Sequence, residues 1–154
     1  ADGSFIKEVI APIDGPNATA LATGDTHRYV SQTMESRVWK WELAGPGEIR
    51  DEGSLLAGPA GAKFLFGSAR YQMLDSMAVD SAGNVCVATL VNGGITVISP
   101  DGASTDWVPT GDPFTTNICF GGPDLRTAFI TLSGSGKLVT MKWPRPGLKL
   151  HYNR

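Results

Sequence analysis

One plan is written three times along this chain. "NATALATGDTHRYVSQTMESRVWKWEL", "DSMAVDSAGNVCVATLVNGGITVISPDG" and "TNICFGGPDLRTAFITLSGSGKLVTMKW" each open on a short apolar strand, anchored by Ala20-Leu21, Ala78-Val79 and Cys119-Phe120. A polar turn follows ("TGDTH", "DSAGN", "GGPDL"), then a second strand that ends near Thr33, Thr89 or Thr131. A hairpin turn ("MESR", "VNGG", "SGSGK") leads into a third strand at residues 38–41, 95–98 and 138–141. The strands alternate β-branched and aromatic residues with polar ones, which suits a pleated surface buried on one face or both. The 19 glycines and 10 prolines punctuate many short elements.

After the first two copies there is room for a fourth, outer strand, around "EIRDEGSLL" and "STDWVPT". Four antiparallel strands in a repeat of roughly 40–50 residues make the blade of a β-propeller. The chain is therefore read as all-β, with blades at 17–57, 75–112 and 116–154. "SFIKEVI", within 1–12, is read as the outer strand of a preceding blade, and "LKLHY" as a strand pairing with the last one. Propellers close with roughly four to eight blades. Three blades alone would leave long exposed edges. Closure calls for the other half of a larger propeller or for a second copy of this chain.

Composition removes several classes of function. The net charge is −2, and the 13 lysines and arginines are scattered, so no basic face marks a nucleic-acid partner. No apolar run approaches the roughly 18–20 residues of a membrane helix. The chain starts at Ala1 without Met, and localisation is not read from that terminus. Cys86 and Cys119 lie in apolar strand patterns and are read as two buried free thiols. With the distant His27 and His151 they form no zinc spacing. "SGSGKLV" lacks the first Gly and the Ser or Thr of a phosphate loop, and there is no Gly-x-Ser-x-Gly elbow. Trp39, Trp41, Trp107 and Trp143 are read as packing residues, and His27 as a solvated or capping one.

Aligning the repeats places Asn17 and Asp75 at one level, with Thr116, followed by Asn117, in the third copy. In a propeller the first strand of each blade lines the central channel, so these side chains would converge near one mouth. Their oxygens are hard ligands suited to calcium, magnesium or manganese. Asn and Asp also favour turns because they bond to nearby backbone. Asn17-Ala18-Thr19 is in addition a glycosylation sequon. On residues alone these readings stay open.

Three segments carry a family resemblance. "LDSMAVDSAGNVCVATLVNGGITVISPDG" resembles the Asp-Gly-x-x-x-Asp-x-x-Gly-x-x-x-x-Ala segment of the senescence marker protein, gluconolactonase and luciferin-regenerating enzyme family. "TNICFGGPDLRTAFIT" resembles its Phe-Gly-Gly segment, and "DGPNATALATGDTHRYVSQT" its Pro-Asn-Gly strand. The match covers most of the chain in the family's order. It implies a six-bladed propeller, of which this chain looks like the C-terminal half.

The resemblance also implies one divalent cation in the channel, calcium first, with magnesium, manganese or zinc as alternatives. Asn17 and Asp75 match two of the family's metal ligands. The third, a Glu from the first blade, has no counterpart here. The implied chemistry is metal-assisted hydrolysis of a small-molecule lactone or ester, with Asp75 also able to take a proton from water. Alternatives are a metal-dependent phosphotriesterase and a propeller that binds calcium or a ligand without turnover. Two departures stand out: Ala18 and Ser76 replace glycines that follow the two ligands in the family.

Overall fold

The computed structural model describes residues 3–50 and 58–151. Among these, twelve strands form three antiparallel sheets, with one short 3-10 turn at Thr23–Asp25. The first sheet orders β1 (Pro16–Leu21), β2 (His27–Gln32), β3 (Arg37–Gly45) and β5 (Ala62–Gly67), and β4 (Glu48–Ile49) forms a two-residue hairpin on β3. The second orders β6 (Met73–Val79), β7 (Val85–Leu90), β8 (Gly94–Ile98) and β9 (Thr105–Pro109). The third holds β10 (Thr115–Gly121), β11 (Thr127–Leu132) and β12 (Lys137–Lys142). This is the predicted blade repeat, and "STDWVPT" forms the outer strand expected of it.

Other boundaries differ from expectation. The outer strand of the first blade is "AKFLFG", paired to β3, rather than "EIRDEGSLL", most of which lies outside the described residues. The first blade therefore runs past residue 57. The third blade has three strands, not four, among the described residues. "SFIKEVI" is not a strand: residues 3–15 are strandless, with Phe5 and Ile6 exposed. A β-strand needs a ladder partner, and none of the described residues pairs with this segment in a ladder.

The blades stack face to face. Tyr29, Val38 and Leu65 of the first sheet interlock with Leu74, Val85, Val87 and Ile98 of the second. On its other face the second sheet packs Ala88, Ile95 and Val97 against Ile118, Ala128, Ile130 and Trp143. Every residue of β7 and β8 is buried as a result. Burying a side chain of this size contributes about 1.5–3 kcal/mol. The outer face of the first sheet buries Val30, Trp39 and Trp41, with Ile10 and Ile13 laid over them. Trp39 Nε1 donates to Gln32 Oε1 (2.5 Å), and Trp41 Nε1 to the Ala60 carbonyl (2.9 Å). Trp39, Trp41 and Trp143 are packing residues as expected, but Trp107, on the outer strand β9, is 46% exposed.

The connections between blades are polar staples. Asp112, in the loop from β9 to β10, accepts hydrogen bonds from the Phe114 amide (2.8 Å) and from both the amide and the hydroxyl of Ser135 (2.7 Å each). Its backbone also lies against the β7–β8 hairpin, where Gly93 sits at φ 70°. A Cβ on Gly93 would come 2.5 Å from the Asp112 carbonyl oxygen, so the hairpin admits no side chain there.

Residues 144–151 form a strap back across the blades. Among the described residues it adds no strand to the last blade, as "LKLHY", whose Tyr152 lies outside them, was expected to do; it bonds to the second blade and, from the Gly147 amide to the Leu125 carbonyl (2.8 Å), to the third. The Ser81 amide donates to the Pro146 carbonyl (2.8 Å), and the Leu148 amide to the Val79 carbonyl (2.9 Å). Arg145 Nε donates to Asp80 Oδ2 at 2.6 Å. The Asp80 carboxylate is fully buried and also accepts from the Ala82 and Asn84 amides and from Asn84 Nδ2. At the end of the strap His151 Nε2 lies 2.7 Å from Asp25 Oδ2 of the first blade.

Two stability predictions follow from these staples. Removing one partner of a buried ion pair leaves an uncompensated charge or unfilled donors, at about 3–5 kcal/mol. Asp80→Ala should lower the unfolding free energy by about that amount in a urea titration. Arg145→Ala, whose side chain is partly exposed, should cost less, about 1.5–3 kcal/mol. The Ser135 hydroxyl, followed by the Phe114 amide, holds the Asp112 carboxyl below the ordinary carboxylate value. A lowered native pKa stabilises the fold above the unfolded-state pKa and ceases to do so as pH falls through the native one. Asp112→Asn should therefore have a lower urea midpoint than the parent at pH 7. The two midpoints should converge below about pH 4.

Candidate functional site

Sheet stacking brings the three inner strands side by side, β1 next to β6 and β6 next to β10. Each ladder breaks at the same level. In the first blade Pro16 pairs with Gln32 and Thr19 with Val30, so Asn17 and Ala18 face only Ser31. In the second, Leu74 pairs with Thr89 and Met77 with Val87, so Asp75 and Ser76 face only Ala88. In the third, Thr115 pairs with Leu132 and Asn117 with Thr131, leaving Thr116 over. Each inner strand thus carries one extra residue, a β-bulge, at the position the repeat alignment singled out. A bulge leaves backbone groups unpaired and re-aims a side chain.

The bulges are satisfied across blades. Ser31, fully buried on β2, accepts a hydrogen bond from the Ala18 amide (3.0 Å) and donates one to the Asp75 carbonyl (3.1 Å). One hydroxyl therefore ties the Asn17-Ala18 bulge to the Asp75 bulge of the next blade. Asn17 is exposed and Asp75 half-buried. Among the described residues neither side chain has a hydrogen-bond partner. Neither Ala18 nor Ser76 is at positive φ, so the backbone here does not require the glycines of the resembling family.

The third bulge is different. Thr116 Oγ1 is 2.9 Å from both Thr131 Oγ1 and Ser133 Oγ, and Asn117 Oδ1 accepts from the Ile118 amide (2.8 Å). Both oxygens are engaged within their own blade. Two free oxygen donors remain, Asn17 and Asp75, and their hard-ligand chemistry fits a divalent cation of the calcium or magnesium kind. Among the described residues no group of three His, Cys, Asp or Glu could hold a metal.

Below this level the inner strands line a cavity of about 550 Å³. Its wall is mostly apolar, with Leu21, Met77, Ile118 and Phe120, and its polar members are Thr19, Arg28 and Asn117. Arg28 Nη1 donates to Thr19 Oγ1 (3.1 Å). Leu148 and Leu150 of the strap line the cavity where the inner strands end, away from Asn17 and Asp75. His27 contacts the Thr26 hydroxyl (2.9 Å) at the start of β2, and burial, then Lys40, lowers its pKa.

Cys119 also lines the cavity and is exposed, which corrects the reading of two buried thiols. Strand alternation gives the core-facing place to Ile118 and turns its neighbour to the channel side. Cys86 is buried as expected, and burial, aided by the Asp80 charge, pushes its thiol well above the usual range. Ser31 was not found from sequence. The available signal was a hydroxyl in "HRYVSQT" where the second repeat has Ala88, in a strand that the alternation marks as buried.

A family model described as "SMP-30/Gluconolactonase/LRE-like region" matches residues 1–134. A 6-deoxy-6-sulfogluconolactonase from Pseudomonas putida is 36% identical over 75 residues, 47% of this chain and 26% of that protein. A gluconolactonase structure from Xanthomonas campestris superposes with a TM-score of 0.69 at 23% identity, over 93% of this chain and 42% of that one. Regucalcin from Agrobacterium tumefaciens, described as a calcium-binding protein, superposes with a TM-score of 0.67 at 18% identity, over 86% of this chain and 46% of that one. The two superpositions bear on the fold alone. This chain spans less than half of each of these relatives.

The two thiols should separate chemically. In the native protein an aromatic disulfide reagent should titrate one thiol quickly and the second only after denaturation. Cys119→Ser should remove the fast phase. Two fast thiols, or none, would contradict the placement of the cysteines.

Proposed function

This chain belongs to the SMP-30/gluconolactonase/LRE-like family, and from that premise we propose that it supplies about half of a metal-dependent lactonase. The observation that carries the reading is the pair Asn17 and Asp75. They are two partnerless oxygen side chains at matching bulges of adjacent inner strands, linked through Ser31. In this reading Asn17 contributes its amide oxygen and Asp75 a carboxylate oxygen to one divalent cation, calcium first. Magnesium, manganese and zinc are the alternatives. A third protein ligand, expected to be a Glu, comes from outside these residues, from the other half of the propeller or a second copy.

A bound cation at this place would polarise a lactone carbonyl and make water a better nucleophile. The rest falls to the protein. Asp75 carries a carboxylate that can accept the proton of the attacking water. The cavity wall excludes water on the side of Met77, Ile118 and Phe120, and Thr19, Arg28 and Asn117 offer hydrogen bonds to a polar substrate. The substrate is a small lactone or related ester. The name of the P. putida relative and that of the X. campestris structure support a lactone.

The test is a panel of lactones, carboxylic esters and phosphotriesters, assayed on the closed propeller with and without chelator. Lactone hydrolysis that chelator abolishes and calcium restores is expected. Preference for phosphotriesters would select the phosphotriesterase reading, and absence of turnover in the metal-loaded protein the binding-only one. Asn17→Ala and Asp75→Ala should each weaken metal binding by more than the roughly 10–100-fold typical of losing an outer supporting group. Lactonase activity should fall with it. Full metal content and activity in both variants would overturn the assignment.

A further inference from the structure

We propose that Ser31 is a positioning residue that sets the spacing between Asn17 and Asp75, an inference that rests on the metal-site reading above. Its hydroxyl stands between two unpaired backbone groups, one made by each bulge. It accepts from the Ala18 amide, one residue from Asn17, at 3.0 Å, and donates to the carbonyl of Asp75 itself at 3.1 Å. The residues it joins are 13 and 44 positions away in sequence and lie in different blades. A hydroxyl has one proton to donate and lone pairs to accept with, so a single side chain can serve both groups only within a narrow geometry. Fully buried, Ser31 cannot trade either partner for bulk water.

The neighbouring blade argues that this hydroxyl is not a requirement of the fold. The residue opposite the Asp75-Ser76 bulge is Ala88, equally buried, and it builds the same two-against-one bulge with no hydroxyl. The third blade forms its bulge with side chains of its own sheet, Thr116 to Thr131 and Ser133. Among the described residues, only in the first blade does the residue facing the bulge reach across to the next inner strand. That is the one place where the two strands joined carry the two partnerless oxygen donors. Supporting groups of this kind, which hold a ligand's backbone rather than touch the metal, typically govern 10–100-fold in affinity.

The test is manganese titration of the closed propeller, followed by the electron paramagnetic resonance of the free ion. Ser31→Ala should weaken manganese binding by about 10–100-fold, and Ser31→Thr, which keeps the hydroxyl, should recover most of the loss. Thr96→Val serves as the control. It removes another buried hydroxyl pair, Thr96 with Thr89 at 2.7 Å, from β8, which pairs with β7 and β9 and with no inner strand, and should leave affinity unchanged. Thermal melts of all three variants establish that each is folded. Unchanged affinity in Ser31→Ala, or an equal loss in Thr96→Val, would overturn the proposal while leaving the metal site standing. Absence of manganese binding by the parent closed propeller would overturn the metal site and this proposal together.

Discussion

A blade sheet of this protein has two apolar faces, and each must be covered. The second sheet shows what happens when both are: every residue of β7 and β8 is buried between the first and third sheets. This face-to-face stacking is the constraint from which the rest follows. It turns the blades about a common axis and lays β1, β6 and β10 next to one another. Two faces are left partly uncovered among the described residues. The outer face of the first sheet is covered in part by Ile10 and Ile13, and β12 of the third leaves Leu138 67% exposed. The chain spans less than half of the solved structures it superposes on.

Alignment of the inner strands makes a shared irregularity useful. A single bulge in a single strand re-aims one side chain. Three bulges at one level, in strands packed side by side, gather residues distant in sequence around one axis. The cost is a set of unpaired backbone groups away from water, and the protein meets it differently in each blade. The third blade uses threonine and serine of its own sheet. The first uses Ser31, whose hydroxyl crosses to the second blade. Satisfying the backbone and linking Asn17 to Asp75 are therefore done by one group.

Much of this was legible beforehand. The repeat located all three inner strands, their hairpin turns and the level of Asn17 and Asp75, because turn chemistry and period-2 alternation are local. What failed was non-local. "AKFLFG" alternates as a strand should, but its pairing to β3 across an interval of some twenty residues depends on which edge is free after β4 forms. The strap at 144–151 bonds to Val79, Asp80 and Ser81 of the second blade as well as to Leu125 of the third, since the end of the neighbouring inner strand offers it partners. Cys119 reads as buried from the apolar run around it, yet an inner strand has one face on the core and one on the channel.

The sequence by itself determined the blade repeat, the all-β class and the two residues that carry oxygen donors at matching positions. These are consequences of residue type and spacing, which act over a turn or a strand. The tertiary structure decided that Asn17 and Asp75 sit on bulges, that Thr116 and Asn117 are engaged elsewhere, and that Ser31 joins the first two. Those outcomes depend on ladder register and on how closely one sheet approaches the next. Such distances are set by the packing of whole faces, and no short stretch of residues encodes them.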